Sequence, residues 1–173
     1  FNFVKEVGQT FVTASRIYTI KATHPNFGEI IATQTMPQAV PLKETLIREN
    51  RSANEFGDLM SQAELTFDDP AGVENFYEVS LISVEITSEG NYVNTLYTST
   101  LDPNLRVGYQ GGFLLRDETF DGREYKMLLD FDQYWSDNDE RDIQVYAIWR
   151  AVTRDYYLYA KSVVDQSDAK DFG

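Results

Sequence analysis

The stretch Phe67–Leu81, FDDPAGVENFYEVSL, constrains the fold more than any other. A strand pattern beginning at Ser61 runs into two adjacent acids and a proline, and Gly72 permits a turn. A longer run then extends from Asn75 to Thr87. Phe76, Val79, Leu81, Ile82, Val84 and Ile86 crowd it, more apolar residues than one face of a strand presents. A strand covered on both sides needs layers around it, which the remaining chain must supply. The change of face at Leu81-Ile82 predicts a bulge. Asp68, Asp69, Pro70, Asn75 and Tyr77 form a structural motif: the acids bond nearby backbone, proline fixes the turn, and Phe76 and Tyr77 are aimed into the core.

Other strand patterns flank this one. Arg16–Ala22 alternates with period two, His24–Gly28 is a turn cluster, and Glu29–Met36 returns, so the three make a hairpin. A lone hairpin is marginal in water, so more strands are expected beside it. Two prolines mark 37–41 as a domain boundary. Leu42–Asp58 is polar and reads as loop with an edge strand, whereas Ser61–Phe67 places Ala63, Leu65 and Phe67 on one face. Ser88–Gly112 is too long for an ordinary loop, so it is either functional or holds short strands. Phe113–Glu118 and Tyr125–Phe131 read as a hairpin about Asp121-Gly122. Ile143–Trp149 is a last strand. From Val152 the period changes: Val152, Tyr156, Tyr159 and Val163 are spaced as on a helix, Thr153 can cap it, and it runs to about Gln166.

Composition removes several function classes. The net charge of −13 leaves no basic footprint for nucleic acid or for anionic lipid. With no cysteine there is no disulfide, thiolate metal site or cysteine nucleophile. No apolar run reaches the ~20 residues of a membrane-spanning helix. The chain starts at Phe1 without a signal peptide and reads as a piece of a longer protein.

Few constellations could carry chemistry. His24, the one histidine, precedes Pro25 in a turn, and no Gly-x-Ser-x-Gly elbow is present. Asp137, Asp139 and Asp142 in an acidic loop are weak calcium candidates, because Arg141 and Ile148 occupy the fifth and twelfth places of an EF-hand register. Asp68, Asp69, Asp117, Glu118, Asp130 and Asp132 end strands, where a cleft could collect two of them for glycoside hydrolysis. Tyr92, Tyr97, Tyr109, Tyr134 and Trp135 sit in or near loops and are candidate binding aromatics. No cofactor is expected and no residue is assigned as catalytic.

Four stretches carry a family resemblance: Ile31–Pro37 (IATQTMP), Phe67–Tyr77, Leu114–Phe131, and the last strand and helix with Tyr156-Tyr157-Leu158-Tyr159 and Ser162. Together they resemble the bacterial surface lipoproteins of the domain of unknown function DUF4249. That resemblance covers most of 16–173. It implies a lipidated cysteine and a first β-sandwich domain preceding this chain. It also implies a Gly-rich final strand after Gly173, and genes encoded near TonB-dependent outer-membrane transporters. It supplies no catalytic residues. The expected fold is mainly β: 1–36 as the last strands of an immunoglobulin-like domain, then 42–173 as an antiparallel β-sandwich with one C-terminal α-helix at about 152–166. The expected function is a non-enzymatic, cell-surface lipoprotein that is an accessory or binding subunit of an outer-membrane transporter complex. A glycan-binding module is the alternative and a hydrolase with an acid pair the third.

Overall fold

The computed structural model describes residues 13–54, 56–108, 111–132 and 142–170, with the side chains of 142 and 167–170 outside the description. The fold is mainly β, with antiparallel sheets and a single C-terminal helix. The chain divides between Ala39 and Val40. In the first unit β1 (Ile17–His24) pairs antiparallel with β2 (Gly28–Thr35), closed by a turn in which Gly28 takes φ 76°. The His24 Nδ1 accepts the Asn26 N–H at 3.2 Å, so this histidine serves the turn.

The second unit is two packed sheets. One contains β3 (Leu42–Ala53), β4 (Leu59–Asp68), β10 (Glu124–Asp132) and β7 (Thr98–Ser99), in the order β3-β4-β10-β7. The other contains β11 (Asp142–Val152), β5 (Phe76–Thr87), β9 (Phe113–Arg116) and β8 (Arg106–Val107), in that order, with β6 (Gly90–Thr95) also on β5. Ala63, Leu65, Phe67, Met127, Leu129 and Phe131 face Tyr77, Val79, Leu81, Phe113 and Leu115 across the interior, all buried. Phe67 is the hub: its ring lies 4.7–6.0 Å from Trp149, Tyr77, Phe120 and Tyr125. Tilted and edge-on aromatic pairs of this kind each add ~0.5–1.5 kcal/mol beyond area burial.

Strand β5 organises the second sheet. One edge pairs with β11 without interruption, from Phe76 opposite Val152 to Ile86 opposite Asp142. The other edge is shared, β9 along Phe76–Val79 and β6 along Ile82–Thr87. The bulge expected at Leu81-Ile82 is therefore absent from a continuous register. The excess of apolar residues has another cause: a helix, α1 (Arg154–Lys170), follows β11 and lies against β5 and β8. Tyr77, Val79 and Leu81 face the sandwich interior. Phe76 and Glu78 face the helix, where Phe76 meets Tyr157 at 5.0 Å and the Tyr156 hydroxyl sits 3.0 and 3.1 Å from the two Glu78 oxygens. Buried Glu78 also pairs with Arg150 at 2.8 Å, its neighbour on β11. Thr153 caps the helix, its hydroxyl accepting the Tyr156 N–H at 3.2 Å.

Two further expectations are corrected. Leu42–Asp58 is mostly a twelve-residue edge strand, broken in register between Leu42 and Glu44 and between Arg48 and Ser52, where Asn50 takes φ 50°. Its polar composition is that of a strand with a water-facing row, in which Arg48 and Lys126 both pair with Glu64. Such charges and breaks protect an edge from further strand pairing. Second, Phe113–Glu118 and Tyr125–Phe131 are not a hairpin. β9 and β10 belong to different sheets, and Asp117–Thr119 with Asp121-Gly122 carries the chain between them. An Asp-Gly pair guarantees a backbone able to reach positive φ, here 67° at Gly122, but not the pairing of what flanks it.

Candidate functional site

Among the described residues of the second unit, two gatherings of polar side chains include strand-end acids singled out from the sequence. The first is the crossover just described. Asp69 lies at the end of β4 with its carboxylate buried, accepting the Tyr77 hydroxyl at 2.5 Å and the Gly122 N–H at 3.0 Å. Asp117 is also buried and accepts the Asn75 N–H at 2.7 Å. Asp121 accepts the Gly72 N–H at 2.8 Å. One oxygen from each of these three acids lies within 4.8 Å of the others. The amide of Asn75 donates to the carbonyls of Val73 and Pro70 and closes the turn. Burial, and next Asp69, push the Tyr77 hydroxyl well above the usual phenol range. Burial also raises Asp117 above the ordinary aspartate range, against the bonds from Asn75 that lower it. Each of the three carboxylates is thus committed to a backbone amide, and the cluster works as a clasp: it ties the turn after β4 to the crossover between the sheets.

The second place is an open groove of about 600 Å³ across the outward face of the first sheet. Because Met127, Leu129 and Phe131 enter the core, Leu128, Asp130 and Asp132 alternate outward on β10. Asp130 and Asp132, with Met60 of β4 opposite Asp132, form its floor. One wall is the turn after β3. Asn54 builds that turn, its side-chain oxygen accepting the N–H groups of Phe56 and Asp58 at 3.0 and 2.9 Å and its amide donating to Asp58 at 3.1 Å. Gly57 takes φ 87° there, and Phe56 is left 82% exposed. The other wall flanks β7: Tyr97 is 69% and Leu101 97% exposed, held by Thr100, whose hydroxyl donates to the Leu128 carbonyl at 2.7 Å. Gln62 donates to Asp130 at 2.9 Å. The Ser52 hydroxyl, at the groove, is buried with no hydrogen-bond partner among the described residues.

The residues singled out from sequence fall unevenly on these two places. Asp69, Pro70, Asn75 and Tyr77 meet at the clasp, while Asp68 turns outward to Lys43 at 3.3 Å. Phe76 does not enter the sandwich core, because consecutive strand residues point to opposite faces and Tyr77 takes the inner one. Of the six strand-end acids, Asp130 and Asp132 reach the groove, Asp69 and Asp117 the clasp, and exposed Glu118 pairs with Arg116 at 3.3 Å. Of the two candidate aromatics among the described residues, Tyr97 lines the groove. Tyr92 stands exposed on β6, and Tyr109, Tyr134 and Trp135 lie outside the described residues. Asp137 and Asp139 also lie outside them, and Asp142 is described only as backbone in β11. Phe56 and Leu101 are groove residues that sequence reasoning passed over. Their signal was a large apolar residue inside a short polar turn, Asn54–Asp58 and Thr100–Asp102.

Compared with known proteins, residues 2–172 match the family model described as "Domain of unknown function (DUF4249)". No curated protein and no solved structure matches the chain.

Proposed function

The chain belongs to the DUF4249 family, and on that premise we propose that it is the binding part of a non-enzymatic cell-surface lipoprotein, an accessory subunit of an outer-membrane transporter of the TonB-dependent type. The observation that carries this reading is the groove. Exposed apolar side chains stand on both of its walls, Phe56 on one and Tyr97 and Leu101 on the other, on a turn and an edge that internal hydrogen bonds hold in place. Preformed, partly apolar concavities with a few polar groups are the usual form of binding sites. Catalysis would require an acid or base poised for proton transfer, and the buried acids of the clasp are spent on backbone amides and a tyrosine hydroxyl.

The test is a cross-linked pull-down of the full-length lipoprotein from its own outer membrane. Recovery of a transporter barrel is the expected result, and recovery of no membrane protein would overturn the accessory role. Release of reducing sugar from a polysaccharide by the purified protein would overturn the non-enzymatic part.

A further inference from the structure

We propose that the groove is a saccharide site that takes a segment of a neutral polysaccharide; this rests on the reading of the groove as the binding site. Its lining has the two kinds of group that sugars need. The rings of Phe56 and Tyr97 offer flat apolar faces on opposite walls, which suit the C–H faces of pyranose rings. Between them the floor offers oxygen acceptors. Asp130 and Asp132 project from the same face of one strand, two residues apart, a separation of about 6.6 Å along the strand. Asp130 accepts from Gln62 and Asp132 also has an interaction of its own, yet a carboxylate has about four lone-pair sites, so both can take sugar hydroxyls as well.

Charge narrows the class. Two carboxylates on the floor and a chain charge of −13 repel uronic or sulfated glycans. Among the described residues, peptide capture by strand addition has no suitable edge at the groove, since β7 is only Thr98–Ser99 and β3 carries charges and two register breaks. The groove volume of about 600 Å³ lies within the ~300–1,000 Å³ of small-ligand sites, enough for a short run of sugar rings.

The experiment is native affinity electrophoresis of the whole chain in gels containing starch, xylan, mixed-linkage glucan or mannan. Polygalacturonate serves as the acidic comparator. Retardation by at least one neutral polysaccharide and not by polygalacturonate is expected. Tyr97→Ala and Phe56→Ala should each weaken it about tenfold or more, and Tyr92→Ala, at another exposed tyrosine that does not line the groove, should leave it unchanged. All three side chains are exposed, so unchanged melting temperatures establish that the variants fold. Retardation by none of the neutral polysaccharides, or retardation that survives Tyr97→Ala, overturns the proposal. A parallel titration with a tryptic digest of casein separates the two readings. Peptide binding that Tyr97→Ala abolishes, without polysaccharide binding, would overturn the saccharide assignment while leaving the groove as a binding site.

Discussion

Replacing Asp69 with alanine removes the acceptor at the centre of the clasp. The Tyr77 hydroxyl and the Gly122 N–H, 2.5 and 3.0 Å away, would lose their partner. Tyr77 is fully buried. A buried donor left unpaired costs ~1–3 kcal/mol, and bonds to a carboxylate are the stronger kind. The Tyr77 hydroxyl carries that cost in full, and the Gly122 N–H, on an exposed residue, only part of it, for an expected loss of roughly 2–4 kcal/mol out of the ~5–15 kcal/mol that holds a domain together. Tyr77→Phe removes one bond and keeps the other, so it should lose roughly 1.5–3 kcal/mol. The double variant should be less damaging than the sum, with a coupling of ~1–3 kcal/mol. Urea unfolding followed by tryptophan fluorescence suits the measurement, because Trp149 stacks on Tyr77 at 4.8 Å. If Asp69→Ala left stability within ~0.5 kcal/mol of the parent but abolished binding of a ligand, the structural reading of the clasp would be refuted.

Asp117 and Gly122 give two further tests of the clasp. Burial raises Asp117 above its ordinary value of 3.8, so the folded state favours the protonated acid. Its contribution is fully present below 3.8 and is lost as pH rises through the raised folded value. Asp117→Asn keeps an oxygen for the Asn75 N–H, so the variant should flatten this acid-range dependence. It should match or exceed the parent's stability at pH 7, as read by urea unfolding across pH. Gly122→Ala should destabilise by about 2 kcal/mol or more in thermal melting, since φ is 67° and an added Cβ would stand 2.6 Å from the Ala71 Cβ.

What the sequence disclosed, and what it hid, follows from the range of the interactions. Period-two alternation placed Ala63, Leu65 and Phe67 inward because that pattern is set by a single strand and one buried face. The spacing of Tyr156, Tyr159 and Val163 marked the helix for the same reason, but Val152, the first residue of that period, is the last residue of β11, and the helix runs from Arg154 to Lys170 rather than from about 152 to 166. Asp121-Gly122 misled because sheet membership is decided far away, by Asp69 and Asn75 gripping the two sides of the crossover. The crowding of β5 was visible, but whether a bulge or a second layer explained it depended on where α1 docks, through Tyr156 on Glu78 some 78 residues earlier. The groove was least legible. Its walls come from Asn54–Asp58 and Tyr97–Leu101, and only the β3-β4-β10-β7 strand order brings Phe56 and Tyr97 to the same face as Asp130.

Amide-resolved NMR titration of the whole chain with each of the neutral polysaccharides in turn tests the central claim most directly, since it asks where a ligand sits. The groove account predicts shifts confined to Ala53–Asp58, Tyr97–Leu101 and Asp130–Asp132, with the amides of Asp69, Tyr77 and Gly122 unmoved. Shifts centred on the clasp, or none with any of the polysaccharides, would contradict it.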